Sequence, residues 1–211
     1  MRSILITLCL TLALCGCVNP LNKGTLKSAL NKYYKKAHPA IIKLDSFYCS
    51  STHCTIDKSD YTHIRTMDLL VKAGLMNRRE YYDPGNVNFM ATNNDKSPNT
   101  VNYTYTNMGK ECFKVVSTGP GMSDEGFAFG QESVIEVKNY TQPSRDMEGQ
   151  TGLDVSYTVR TDNIVGWARS DEMKNAFPEI VQAFDSQVHP VAQESSMIKT
   201  ANGWIDSRES L

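Results

Sequence analysis

Leu153-Asp154-Val155-Ser156-Tyr157-Thr158-Val159-Arg160 alternates apolar and polar side chains without a break. Successive side chains of an extended chain point to opposite faces, so Leu153, Val155, Tyr157 and Val159 can enter a core while their neighbours face water. The stretch therefore predicts a half-buried strand. Upstream lies a second β-rich run, Ser133-Val134-Ile135-Glu136-Val137-Lys138-Asn139-Tyr140. The spacer between them holds Pro143, Asp146, Gly149 and Gly152, all turn formers, which predicts an antiparallel hairpin with a long loop.

Toward the C-terminus, Ser170 suits the cap of a short helix carrying Met173, Ala176 and Phe177. Pro178 suits the first turn of another that carries Ile180, Val181 and Phe184. Asn202-Gly203, between Met197-Ile198-Lys199 and Trp204-Ile205, marks a last small hairpin.

Toward the N-terminus, Val101, Tyr103 and Tyr105 alternate with Asn102, Thr104 and Thr106 and predict another strand. Residues 91–98 are almost free of apolar anchors, and Gly119-Pro120-Gly121-Met122-Ser123-Asp124-Glu125-Gly126 is glycine-rich, so both read as exposed loops. Leu26, Leu30, Tyr33 and Tyr34 recur at helical spacing, and Pro39 stops that helix near Ala37. A second helix, capped by Asp57 or Ser59, carries Tyr61, Ile64, Met67, Leu70 and Val71 and ends at Gly74. Ile41-Ile42-Lys43-Leu44 reads as a short extended piece between the two helices.

Val71-Lys72-Ala73-Gly74-Leu75 and Tyr103-Thr104-Tyr105-Thr106-Asn107-Met108-Gly109-Lys110 together resemble the winged-helix arrangement of bacterial regulators. The resemblance covers about fifty residues and implies a helix followed by a β-hairpin. Its DNA-binding role is not carried over, because the supposed reading helix is not notably basic. The expected fold class is α+β: N-terminal helices with a winged-helix-like hairpin, then an antiparallel sheet and short C-terminal helices. Residues 25–118 would form the helical part and residues 119–211 the sheet part of one compact domain.

The first residues set an address. Arg2 precedes a largely apolar run over residues 4–14, too short to cross a hydrocarbon core about 30 Å thick, and so the segment reads as a secretory signal. It closes on Leu14-Cys15-Gly16-Cys17, which resembles the lipobox of bacterial lipoproteins, with Cys15 standing where the family pattern has Ala, Ser or Thr. The resemblance implies cleavage between Gly16 and Cys17, lipid on Cys17, a signal over 1–16 and a short lipidated tether over 17–24. More than one acyl chain holds a protein stably on a membrane. By analogy with lipoprotein sorting in Gram-negative bacteria, Val18 favours the outer membrane, facing the periplasm.

The formal net charge is −1, from 22 basic and 23 acidic side chains, and no strong field is available to attract phosphate backbones. Nucleic acid is not an expected partner. Beyond the signal and Cys17 the cysteines are Cys49, Cys54 and Cys112. In an oxidising compartment Cys49 and Cys54, separated by Ser50-Ser51-Thr52-His53, are the pair expected to join. A zinc site on Cys49, His53, Cys54 and His63 lacks the two spaced ligand pairs such sites use, and no metal or other cofactor is expected. Cys112 reads as a small buried hydrophobe.

His38, His53, His63 and His189 fall in no catalytic spacing and read as surface or capping residues. The glycines of residues 119–126 match neither a nucleophile elbow nor a phosphate-binding loop. Asp124/Glu125 and Asp171/Glu172 are sequence neighbours, and read as structural rather than as an acid–base pair. The paired tyrosines, Tyr33/Tyr34, Tyr81/Tyr82 and Tyr103/Tyr105, fit sheet and core packing as well as they fit a partner surface. The expectation is a non-enzymatic, membrane-anchored lipoprotein that binds a protein or another envelope component. Two alternatives stay open: an immunity or phage-exclusion lipoprotein, and an envelope hydrolase whose site is assembled from scattered residues.

Overall fold

The computed structural model describes residues 21–85, 96–119 and 121–210. The signal, Gly16, Cys17 and most of the loop expected over 91–98 lie outside the described residues.

Helix α1 (Lys23–Ala37) is followed by strands β1 (Pro39–Lys43) and β2 (His53–Asp57), helix α2 (Tyr61–Lys72), and strands β3 (Met76–Tyr81) and β4 (Thr100–Tyr105). Then come the short helix α3 (Asn107–Cys112), β5 (Phe113–Gly119), β6 (Met122–Tyr140), β7 (Ser144–Arg145) and β8 (Thr151–Asp162). Helices α4 (Asp171–Ala176) and α5 (Pro178–Val188) and strands β9 (Val191–Thr200) and β10 (Gly203–Asp206) complete the order.

The expected fold class is corrected here. Strand residues exceed helical ones, 43% against 32%, and strands enter the main sheet from Pro39 onward instead of following a helical half. That antiparallel sheet has the order β1-β6-β8-β9-β10, with β5 added beside β6 and β7 beside β8. The hairpin expected to resemble a wing is instead part of a separate three-stranded sheet, β2-β4-β3. Local periodicity found the individual elements but carried no record of which distant strands pair.

The long strand β6 organises the molecule. Its start pairs with β5, its middle with β1 and its end with β8. Gly126 permits the middle contact, since a Cβ there would stand 2.0 Å from the Ile42 carbonyl oxygen. This corrects the reading of residues 122–126 as loop: a glycine-rich strand lacks the alternation that marks one. Two register shifts, between Val134 and Glu136 and between Val137 and Asn139, accommodate extra residues in β6 while keeping Val134 and Val137 in a core.

Two cores result. Leu26, Leu30, Tyr33 and Tyr34 of α1 pack on Val134, Val137, Leu153, Val155, Tyr157 and Met197, so the alternation of residues 153–160 is realised against a helix. Phe127 and Phe129, from the other part of β6, join Ile42, Leu70, Tyr103 and Ile180 in the second core. One strand therefore serves both.

Caps explain the helix boundaries. Asn22 accepts from the Thr25 amide and the Asn22 amide donates to the Thr25 hydroxyl, a reciprocal capping box. Asp60, rather than Asp57 or Ser59, caps α2, and Gly74 takes the left-handed conformation (φ 79°) just past its end. Tyr61, expected on the buried face of α2, is 77% exposed because it occupies the first turn, outside the Ile64-Met67-Leu70 stripe. Ser170 and Pro178 begin α4 and α5.

Candidate functional site

Between the two cores lies a cavity of about 320 Å³, where the end of α1, β1, the middle of β6, the end of β8 and α5 converge. Tyr34 and Val159 reach it from one core, and Phe129 and Ala183 from the other. Pro39, in the cavity wall, ends α1 at His38, whose amide still donates to the Tyr34 carbonyl. Gln131 then closes the frayed end, its side-chain amide donating to the Tyr34 and His38 carbonyl oxygens at 2.8 and 2.9 Å.

Glu132 follows at once and lines the cavity. Its amide donates to the His38 carbonyl, while its carboxylate enters no salt bridge among the described residues. Burial pushes that carboxyl above the usual carboxylate range. The two cations on the same wall are committed elsewhere, Lys43 to Asp124 at 2.6 Å and Arg160 to Asp162 at 2.7 Å. His38 bonds the Tyr33 hydroxyl through Nε2 at 2.9 Å and packs edge-on against the Tyr33 ring and at a tilt against that of Tyr34. Burial, assisted by the Arg208 cation, lowers its pKa and favours the neutral ring.

The Ser186 hydroxyl in the cavity wall is not poised to react. Ser186 Oγ donates to the Ala183 carbonyl at 2.7 Å and accepts from the Thr161 amide at 2.9 Å, which ties the hydroxyl to the join between α5 and β8. A serine nucleophile needs a base at its proton, and here a backbone carbonyl holds that proton.

No protein-family model, curated protein or solved structure matches this chain.

The remaining residues singled out in the sequence lie apart from the cavity. Cys49 and Cys54 stand as a bridge between antiparallel segments, with S–S 2.11 Å and Cα–Cα 4.0 Å. Cys112, half-buried at the end of α3, is a free thiol packed against the second core. His53 bonds the Ser50 and Thr52 hydroxyls, His63 bonds the Asp60 carboxylate at 2.8 Å, and His189 follows the last turn of α5. Tyr33, Tyr34, Tyr103 and Tyr105 are buried and serve the cores, and of these Tyr34 also lines the cavity.

Sequence reasoning passed over Glu132. Its signal was present: Glu132 and Val134 are two apart on one strand, which sets a carboxylate on the same face as a core residue. It also passed over the buried pair that fastens the C-terminal strand. Asp206, fully buried, accepts from Ser195 Oγ and from the Arg208 guanidinium, whose Nη2 also donates to the Tyr157 hydroxyl.

Proposed function

We propose that this chain is an exported lipoprotein, lipidated on Cys17 and held on the envelope membrane, whose folded body binds a cationic group of an envelope partner in the cavity beside Glu132. In a Gram-negative host the outer membrane is its address, with the body facing the periplasm. The joined cysteines 49 and 54 support export, because such bonds persist in oxidising compartments.

The observation that carries the binding role is the Glu132 carboxylate, set in a wall of mixed polar and apolar side chains and left without a salt bridge among the described residues while Lys43 and Arg160 serve other acids. A half-buried carboxylate is partly desolvated, and an ammonium or guanidinium from a partner favours its charged form. The cavity volume is at the small end for ligand sites, which suits one side chain rather than a large cofactor.

The test is a titration of the lipoprotein in detergent with 1,5-diaminopentane, followed by amide NMR shifts, with 1-pentanol as the uncharged control. Shifts clustered on Gly130, Glu132, Val159 and Ser186, absent with pentanol and lost in Glu132→Gln, support the reading. Equal shifts with both probes, or diamine binding that survives Glu132→Gln, overturn it. Export is tested separately: Cys17→Ala should abolish lipid labelling and membrane fractionation.

A further inference from the structure

Helix α1 has the sequence KGTLKSALNKYYKKA, with five lysines and no acidic residue. Its buried stripe of Leu26, Leu30, Tyr33 and Tyr34 faces the sheet, and Lys23, Lys27, Lys32, Lys35 and Lys36 are all exposed. None of the five forms a salt bridge among the described residues. Glu136 is the acid whose field they touch, through Lys23 and Lys27, and it is bonded to Lys138 at 2.5 Å.

Helix electrostatics accounts for only part of this pattern. Lys35 and Lys36 occupy the last turn, where cations are favoured, but Lys23 opens the helix, where a positive charge opposes the dipole. A chain whose formal net charge is −1 thus carries five unbalanced positive charges on one helix about 22 Å long.

The position of that helix supplies the explanation. Lys23 lies six residues beyond Cys17, and six residues reach at most about 20 Å when fully extended. Any lipid on Cys17 therefore keeps α1 near the bilayer, where a cationic surface meets anionic headgroups.

We propose that the exposed face of α1 is a second membrane contact, in which its lysines rest on the headgroups of anionic phospholipid. The distance argument rests on the lipid-anchor reading of Cys17, whereas the charge of the helix does not. The contact turns a loose tether into an oriented attachment, fixing which side of the body faces the membrane. Each lysine strengthens the attachment about fivefold at low salt, and screening weakens it.

The lipoprotein is mixed with vesicles of phosphatidylcholine alone, or of phosphatidylcholine with phosphatidylglycerol. Flotation is scored and lysine acetylation is mapped by mass spectrometry. On anionic vesicles, acetylation of Lys23, Lys27, Lys32, Lys35 and Lys36 should fall about fivefold relative to neutral ones, while Lys58 and Lys72 stay unchanged. High salt, or the exposed-site variant Lys27→Gln/Lys32→Gln/Lys35→Gln/Lys36→Gln, should remove the protection at Lys23.

Flotation on both vesicle types with equal labelling overturns the lysine contact and leaves the anchor standing. Flotation on anionic vesicles alone, with α1 protected, supports the contact and sinks the anchor. Failure to float on either overturns both. Protection of α1 only by an added acidic protein also overturns the proposal.

Discussion

Arg208 grips Asp206 through two parallel bonds, Nε to Oδ1 at 2.8 Å and Nη2 to Oδ2 at 2.7 Å, with the carboxylate fully buried. The same guanidinium lies over the Tyr33 ring, 4.4 Å from its centroid, and donates to Tyr157, whose hydroxyl meets that of Tyr34 at 3.1 Å. The pair therefore fastens β10 to α1 and β8. Arg208→Met leaves a buried carboxylate unpaired. Because Arg208 is itself partly exposed, the expected loss is about 2–3 kcal/mol, below the range for fully buried pairs, measured by urea denaturation at neutral pH.

The same pair predicts an acid-sensitive fold. Burial alone would raise the Asp206 pKa, but hydrogen bonds from Arg208 and Ser195 outweigh it and hold the carboxyl below its usual range. A depressed folded pKa means the unfolded chain binds the proton more readily. The stabilisation is thus present above the unfolded value, about 3.9, and is lost as pH falls through the folded value. The stability gap between the natural chain and Asp206→Asn should be constant from about pH 5 to about pH 7 and should begin to close as the pH falls below about 4.

Glu132 predicts the opposite sign. Burial raises its folded pKa, so its contribution is most favourable below the unfolded value, about 4.3, and is lost as pH rises through the folded value. Glu132→Gln should raise the melting temperature at pH 8 and leave it nearly unchanged at pH 4. Destabilisation at pH 8 would mean that the carboxylate has a structural partner and is not held for a ligand.

Gly126→Ala tests the pairing of β6 with β1. The new methyl would sit 2.0 Å from the Ile42 carbonyl oxygen, a backbone atom that cannot rotate away. The expected cost is about 3 kcal/mol, at or above the upper end for overpacking. Gly149→Ala is a contrasting control: its Cβ meets nothing within 4 Å, but its φ of 82° adds backbone strain of about 1 kcal/mol.

Opening the Cys49–Cys54 loop should have a smaller effect than breaking a core. Closing so few residues restricts the unfolded chain by about 2 kcal/mol. Cys49→Ala/Cys54→Ala should lose roughly that amount, and a reductant titration of the natural chain should give the same shift.

By itself the sequence determined the local elements of this protein. The apolar stripe of α1, the alternation of residues 101–105 and 153–159, the Ser170 and Pro178 helix starts and the turn at Gly203 all appear where hydrophobic period and capping chemistry put them, because each depends on neighbours within a few residues. The three-dimensional packing decided the rest. Nothing local says that Ile42 pairs with Phe127, or that Met122–Tyr140 is one strand serving two cores; these are long-range pairings, and Gly126 and Gly130 blur the alternation that would have revealed them. Nor does spacing alone bring Glu132 beside Tyr34 and Ala183, residues far from it in the chain. Their meeting is a consequence of sheet curvature and strand register, which emerge only when the chain buries both cores together.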